Sequence, residues 1–340
     1  MLYLLHQQVD LMNILEVKNL KVYYPLRGSL FAKRKYLKAV DDVTFTVAQG
    51  ETVGLVGESG CGKSSIAKAL VRLENPCGGS IRINDIDIAQ LKGKALRKAR
   101  KDFQMVFQDP YGSLNPRLSI QSTLEEVLSL HTTLDKAGRL ERMKELMQMV
   151  GLNPAQLNRY PHEFSGGQRQ RIGIARALAT EPKLLIADEP VSALDVSVQA
   201  SIINLLQELQ ETTNIGLLFI AHDLAVVEHI SDRILVMYLG RIVESAPAGE
   251  LCKKPLHPYT AALLSAVPTL EKRSGKRIKL TGDVPSPLAP PSGCAFHERC
   301  AFATEKCCQE RPELTEIAPG RFTACFHVRE NGDFSCENQQ

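Results

Sequence analysis

The fold of this 340-residue chain is decided by one segment, Gly57-Glu58-Ser59-Gly60-Cys61-Gly62-Lys63-Ser64. It follows the pattern G-x-x-x-x-G-K-S, with an apolar strand pattern at 51–56 before it and a helical pattern at 63–73 after it. The glycines let backbone N–H groups point at phosphate oxygens, near the positive end of the helix. Lys63 is expected to contact the β- and γ-phosphates, and the Ser64 hydroxyl to contact Mg²⁺. The segment predicts a nucleotide-binding α/β core.

Cys61 lies within this loop, and Ser65 lies directly after it. Cys61 occupies a variable position of the pattern and is expected to be an inert filler. Ser65, which follows the loop, is included with it in the predicted ATP-binding set.

Further strands are expected on both sides of this loop, with helices between the later ones. Their apolar patterns lie at 14–22, 40–47, 103–107, 183–187, 215–220 and 234–237. Residues 109–164 contain no comparable strand but two helical patterns, near 120–130 and 136–150, so they are predicted to form an inserted helical subdomain. The predicted domains are a nucleotide-binding domain at 1–245 and a C-terminal segment at 246–340.

Composition is that of an ordinary globular protein, with 44% hydrophobic and 23% charged residues. The net charge of +3 gives no general basic bias, so nucleic acid is not an expected partner. No apolar run approaches the ~20 residues of a membrane-spanning helix, and the N-terminus is a poor signal peptide. A cytoplasmic chain is therefore expected.

A second apolar strand, at 183–187, leads directly into Asp188-Glu189-Pro190. Two carboxylates at the end of a buried strand suit a phosphate site in different ways. Asp188 is expected near Mg²⁺, and Glu189 is expected to orient or deprotonate the attacking water. Together with the glycine loop, this pair predicts nucleotide hydrolysis.

Four further motifs follow in a fixed order along the chain. They are Gln108 at the end of F-Q-M-V-F, Ser165-Gly166-Gly167-Gln168, Ser192-Ala193-Leu194-Asp195, and His222 after L-L-F-I-A. With the glycine loop and the carboxylate strand, they resemble the Q-loop, signature, D-loop and switch histidine of the ATP-binding cassette (ABC) ATPases. The resemblance implies a P-loop cassette with an antiparallel β subdomain and a helical subdomain.

The resemblance also implies how these residues share the work. Gln108, Glu189 and His222 would be catalytic, and Ser64, Gln108 and Asp188 would hold Mg²⁺. Ser165 and Gly167 would act on ATP bound by the opposite subunit of a head-to-tail dimer, with Asp195 as the D-loop residue. The family stacks an aromatic side chain on adenine, for which Tyr24 is the first candidate and Tyr36 the second.

Local sequence narrows the resemblance to the peptide and nickel importer ATPases. It rests on segments 107–117, 159–171, 187–200 and 257–268, and it is closest to the F-type partner of the dipeptide permease. It implies a heterodimer with a second ATPase subunit, two membrane-spanning permease subunits and an external substrate-binding protein. The chain would then lie peripherally on the cytoplasmic face of the cell membrane. The resemblance begins near Met12, which leaves Met1 and Met12 open as the start.

Six of the nine cysteines follow residue 293. In a cytosolic chain, clustered thiols indicate a metal more than disulfides, but this spacing alone leaves zinc, iron–sulfur and free thiols open. The resemblance implies a small cysteine-rich module that binds a [4Fe-4S] cluster. The ligands it implies are Cys294, Cys300, Cys307 and Cys325. Cys308 is an adjacent alternative to Cys307, and Cys336 lies in the tail.

The expected function is ATP hydrolysis that powers import of dipeptides or oligopeptides. A nickel, glutathione or murein-peptide importer would show the same motifs, because other subunits choose the substrate. A soluble ABC ATPase of translation or DNA repair is the alternative of a different class. Such proteins join two cassettes or carry long coiled-coil arms, and this sequence has neither feature.

Overall fold

The structure is a computed structural model that describes residues 12–26, 36–267, 278, 280 and 282–328. Residues 1–11 and Cys336 lie outside the described residues, so the choice of start and the role of that cysteine stay predictions. The strands are β1 Asn13–Pro25, β2 Tyr36–Ala48, β3 Thr52–Val56, β4 Gly78–Ile83, β5 Ile86–Asp87, β6 Phe103–Val106, β7 Leu184–Asp188, β8 Gly216–Ala221, β9 Arg233–Tyr238, β10 Arg241–Pro247, β11 Thr315–Ala318 and β12 Arg321–Thr323. The helices are α1 Lys63–Leu70, α2 Gly93–Ala99, α3 Ile120–His131, α4 Lys136–Met149, α5 Gly166–Leu178, α6 Val196–Thr213, α7 Leu224–Ile230, α8 Ala248–Lys253, α9 Pro258–Ala266 and α10 Glu305–Gln309.

The main sheet has the strand order β11-β12-β10-β9-β3-β8-β7-β6. Strands β9, β3, β8, β7 and β6 pair in parallel, and the other three pair antiparallel at one edge. Successive residues of β7 belong to different buried clusters, with Leu184 and Ile186 in one and Leu185 and Ala187 in the other. The sheet is therefore covered on both faces, which explains why its strands are continuously apolar.

A second sheet of antiparallel strands has the order β2-β1-β4-β5. It confirms the strands predicted at 14–22 and 40–47, whose alternation leaves one face on the core. β4 and β5 were not predicted, because their short segments are interrupted by glycine, asparagine and aspartate.

Helices α3 and α4 confirm the two helical patterns predicted in the region 109–164. Each begins at a side-chain cap, where Ser119 accepts from the N–H of Ser122 and Asp135 accepts from the N–H of Gly138. Their apolar side chains join α5 in the larger buried cluster, which includes Leu124, Leu146 and Ile172. This packing places the start of α5 beside the nucleotide-binding core.

The C-terminal segment joins the main sheet through β12, which pairs with β10 at Glu244↔Thr323 and Ser245↔Phe322. The sequence predicted a separate module from residue 246, but the structure extends the cassette sheet with residues from that module. Short-range patterns do not reveal this pairing, because β12 has three residues and its partner lies about 80 positions earlier. The boundary at 246 falls inside β10 and stays a prediction.

Glu244 anchors this edge, because its fully buried carboxylate accepts the N–H groups of Leu256 at 2.6 Å and His257 at 3.0 Å. Burial raises the pKa of Glu244 to about 7, against hydrogen bonds from the N–H groups of Leu256 and His257 and the charge of Arg321. The folded chain thus holds a proton that the unfolded chain releases between pH 4.5 and pH 7. The stabilising contribution of this group is complete below that range and is lost as the pH rises through it.

Glu244→Gln is expected to remove this part of the pH dependence. Relative to the variant, the free energy of unfolding of the wild-type chain should fall by at least about 1.4 kcal/mol as the pH rises across the range, since each pKa unit corresponds to that amount. Urea denaturation at several pH values measures both curves. Glu208→Gln, at an exposed position of α6, is the matched control. Parallel curves for wild type and Glu244→Gln would contradict the expectation.

Candidate functional site

The site lies where the carboxyl ends of four parallel strands meet. β3, β6, β7 and β8 run in the same direction, and each is followed within two positions by a predicted site residue or segment. Such an edge is where open α/β sheets bind ligands. Strand direction therefore brings together motifs that are far apart in the sequence.

The glycine loop leaves β3 and enters α1 with the geometry that its sequence predicts. Gly62 has φ 114°, and a Cβ there would lie 2.1 Å from the carbonyl oxygen of Ala39, so only glycine fits. Lys63 is buried, and its Nζ donates to the carbonyl oxygens of Gly57 at 2.7 Å and Glu58 at 3.1 Å. The ammonium thus lies inside the loop. Cys61 is also buried, and burial raises the pKa of its thiol, which fits the inert role expected for it.

Ser64 and Asp188 supply oxygen atoms at one point. The Ser64 hydroxyl donates to Oδ1 of Asp188 at 3.1 Å, although the residues are 124 positions apart. Burial raises the pKa of Asp188, and the charge of Glu189 acts in the same direction. A buried carboxylate beside a hydroxyl is a donor set that suits a hard cation such as Mg²⁺. Across the described ranges, no group of three or more His, Cys, Asp or Glu side chains is arranged as a metal site.

Two predicted catalytic residues, Gln108 and His222, contact one carboxylate oxygen of the third, Glu189. Oε2 of Glu189 accepts from Nε2 of Gln108 at 3.0 Å and lies 3.4 Å from Nδ1 of His222. Glu189 also has φ 45°, a left-handed conformation that is uncommon outside glycine and recurs at functional sites. The arrangement holds the carboxylate at the edge of the sheet, with its Oε2 directed at Gln108 and His222.

The signature segment forms the start of α5. Ser165 caps this helix in a capping box, in which its hydroxyl accepts the N–H of Gln168 and its own N–H donates to the Gln168 side chain. Ser165 is exposed, and Gly166 and Gly167 are partly exposed. A Cβ at Gly167 would lie 2.4 Å from Cγ1 of Val198 on α6, so close helix packing requires glycine there. The segment presents a polar helix N-terminus at the surface.

 Three other predicted residues, Asp195, Tyr24 and Tyr36, lie at different positions. Asp195 is exposed at the N-terminus of α6. Tyr24, on β1, is half-buried, and its hydroxyl donates to Oγ of Ser65 at 3.4 Å, so its ring lies beside the phosphate-binding loop. Tyr36 is 46% exposed at the start of β2. The position of Tyr24 fits an adenine-stacking role better than that of Tyr36.

The four cysteines expected as ligands line one small cavity, together with His257, His297 and His327. They are Cys294, Cys300, Cys307 and Cys325. Burial raises the pKa of the Cys325 thiol to about 12, and the neighbouring cysteines add to that shift. Cys307 also lies 3.2 Å from Nε2 of His327, whereas Cys308 is exposed. Within the described part of the chain the cavity is not arranged as a metal site, so the expected metal centre is not seen.

One set of contacts at the site was not predicted from the sequence. Glu58, in the phosphate-binding loop, forms an ion pair with Arg299 and donates its backbone N–H to the hydroxyl of Tyr259. These partners lie 241 and 201 positions away. The sequence held a partial signal, since Tyr259 belongs to the H-P-Y segment and Arg299 directly precedes Cys300, but no pattern linked either residue to the loop.

Comparison with known families gives two matches along the chain. Residues 40–192 match the family described as "ABC transporter". Residues 243–307 match the family described as "Oligopeptide/dipeptide transporter, C-terminal region". The first match contains the phosphate-binding loop, Gln108, the signature segment and Glu189, and the second contains three of the four expected cysteine ligands.

Comparison with individual proteins gives relatives over nearly the whole chain. The chain is 53% identical to the oligopeptide transport ATP-binding protein AppF of Bacillus subtilis (strain 168), over 92% of this chain and 96% of that protein. Among solved structures, it resembles the ATP-binding cassette MJ0796 in a dimeric post-hydrolysis state bound to ADP and Pi, with a TM-score of 0.61, 29% identity, and coverage of 69% of this chain and 98% of that one. It also resembles cbiO1 of Clostridium perfringens, part of the ABC transporter complex cbiONQ, with a TM-score of 0.60, 26% identity, and coverage of 71% and 90%.

Proposed function

The chain belongs to the ABC transporter family of ATP-binding subunits, and from this premise we propose that it hydrolyses ATP to power the import of dipeptides and oligopeptides. The observation that carries the proposal is the convergence of Gln108 and His222 on one oxygen of Glu189, beside the Ser64–Asp188 pair. The relative AppF is an oligopeptide transport ATP-binding protein, which supports the peptide substrate.

The reaction is ATP + H₂O to ADP and phosphate, and the groups of the site divide its tasks among them. The loop residues 57–64 bind the β- and γ-phosphates with backbone N–H groups and Lys63. Glu189 accepts a proton from the attacking water, while Gln108 and His222 orient its carboxylate. Ser64, Gln108 and Asp188 would hold Mg²⁺, which neutralises phosphate charge when it is bound.

The exposed signature segment supports a head-to-tail dimer with a second, homologous ATPase subunit. A capped helix N-terminus with exposed N–H groups and a serine hydroxyl is suited to an anion supplied by another chain. Ser165, Gly166, Gly167 and Gln168 would contact the ATP held by the partner's phosphate-binding loop, with Asp195 at the same interface. The related cassette MJ0796 is dimeric in its post-hydrolysis state.

Permease subunits are the second kind of proposed partner. No helix in the described ranges is both long and apolar enough to cross a membrane. A groove of about 760 Å³ beside the site is lined by Leu73, Arg100, Phe107, Gln108 and Arg176. It would receive a cytoplasmic segment of a permease subunit and connect that segment to Gln108. The chain would then lie peripherally on the cytoplasmic face of the membrane.

Reconstitution tests the proposed function. The chain is purified from its native membrane with its bound subunits and placed in liposomes with the substrate-binding protein. We expect two membrane proteins and a second ATPase to copurify, and a di- or tripeptide to stimulate ATP hydrolysis. Stimulation of ATP hydrolysis by nickel, glutathione or a murein peptide alone would assign that compound as the substrate instead of di- and oligopeptides. Copurification with ribosomes or DNA and no membrane protein would contradict a role in transport.

A [4Fe-4S] cluster held by Cys294, Cys300, Cys307 and Cys325 is part of the same proposal. The four side chains line one cavity, and thiolates are the ligands that such clusters prefer. The cluster would hold together a segment that is too short to bury much apolar surface. Cys308 is exposed, which favours Cys307 as the third ligand.

Chemical analysis of anaerobically purified protein is expected to find about four iron atoms and four acid-labile sulfides per chain. Cys300→Ser should lose most of the iron, because it removes one ligand. Cys308→Ser, at the exposed neighbouring cysteine, is the matched control and should retain it. Stoichiometric zinc without iron would reject the cluster.

A further inference from the structure

Arg299 forms a two-pronged ion pair with the phosphate-binding loop. Its Nη1 lies 2.8 Å from Oε2 of Glu58, and its Nη2 lies 3.0 Å from Oε1. The Arg299 side chain is 7% exposed, and Nη1 also donates to the hydroxyl of Tyr238 at 3.3 Å. A buried guanidinium that donates to both oxygens of one carboxylate fixes the orientation of that carboxylate and compensates its charge.

A buried cluster of aromatic side chains contacts both Arg299 and the loop. The rings of Tyr238 and Tyr259 are 4.7 Å apart, and Phe296 lies 5.3 Å from the first and 5.4 Å from the second. The Tyr259 hydroxyl accepts the backbone N–H of Glu58 at 2.9 Å. Both the main chain and the side chain of Glu58 are therefore held by residues outside the loop.

Because Glu58 is negatively charged, its contact with Arg299 affects nucleotide binding. A carboxylate in a loop that binds polyphosphate repels the ligand unless a cation lies against it. Lys63 donates to the backbone oxygens of Gly57 and Glu58, whereas Arg299 contacts the Glu58 carboxylate itself. The two cations therefore have different tasks in the loop.

We propose that Arg299 is a positioning residue for ATP binding: it neutralises and orients Glu58, and so sets the affinity of the loop for the phosphates. The inference rests on the proposed assignment of residues 57–64 as the phosphate-binding loop. It gives the C-terminal segment a direct part in the ATP site, through a residue that the motifs of the cassette do not include.

Equilibrium binding of a fluorescent ATP analogue to the full-length chain tests the proposal. Arg299→Met should raise the Kd by about tenfold, which corresponds to about 1.4 kcal/mol. The double variant Glu58→Gln/Arg299→Met should bind about tenfold more tightly than Arg299→Met, because it removes the unpaired carboxylate as well. Glu58→Gln completes the double-mutant cycle. Arg321→Met is the matched control and should leave the Kd unchanged, since Arg321 pairs with Glu250 away from the loop.

Charge rescue separates positioning from a merely structural role. If Arg299→Met binds ATP as wild type does, or if the double variant is as weak as Arg299→Met, the proposal is overturned. If Arg299→Met does not fold, Arg299→Lys replaces it and should show an intermediate Kd that Glu58→Gln improves; no improvement overturns the proposal. Lys63→Ala separates the assignment of the phosphate-binding loop from the positioning role of Arg299. Unchanged ATP affinity in Lys63→Ala refutes the loop assignment, whereas weakened binding there with no effect at Arg299 refutes only the positioning role.

Discussion

Replacing Glu189 with glutamine is expected to slow ATP hydrolysis by at least about a hundredfold, within the range that general bases contribute. Glutamine keeps the size of the side chain and its contact with Gln108, but it cannot accept a proton from water. ATP binding should be retained, because the phosphate contacts lie in the loop. Phosphate release at saturating ATP, together with the Kd of a fluorescent ATP analogue, separates the two effects.

Glu211→Gln is the matched control for this substitution, since Glu211 is exposed near the end of α6. It should hydrolyse ATP at the wild-type rate. If Glu189→Gln hydrolyses ATP within about threefold of the wild-type rate, the loss is far below the usual contribution of a general base, and another residue is the base. Loss of ATP binding in the same variant would instead indicate that Glu189 supports the fold of the site.

The second large effect is expected at Lys63. Lys63→Ala removes the buried ammonium of the loop and should weaken ATP binding by about ten- to a hundredfold, since hydrogen bonds to charged groups contribute about 1.5–3 kcal/mol each. The substitution also leaves the carbonyl oxygens of Gly57 and Glu58 without this donor. Isothermal titration with ATP measures the change. Lys98→Ala, at an exposed position of α2, is the control, and equal affinities for the two variants would contradict the prediction.

Much of the cassette could be predicted because its signals are local. The strands around 51–56, 183–187 and 215–220 are short apolar runs, and the loop at 57–64 has the glycine spacing that its backbone requires. Parallel strands share one carboxyl edge, so Gln108, Glu189 and His222 could be expected together once the strands were placed. Their convergence on a single oxygen of Glu189 required the tertiary structure.

The C-terminal segment shows the opposite case. Its strands β11 and β12 are too short to give a periodic pattern, and their place in the main sheet depends on β10. The clustering of the cysteines indicated a metal, but their spacing does not fix how four thiols are oriented around a cavity. The metal centre therefore stays a proposal.

The sequence was enough to predict the chemistry proposed for this protein: a loop that binds phosphate, a carboxylate that activates water, and a helix N-terminus that contacts a second nucleotide. These predictions depend on residue types at short spacings, which can be read from the sequence without knowledge of the fold. The distant side chains that hold these residues in place could be identified from the three-dimensional packing alone. The pairing of Arg299 with Glu58 spans 241 positions, and a contact of that kind depends on packing across the whole core rather than on any local pattern.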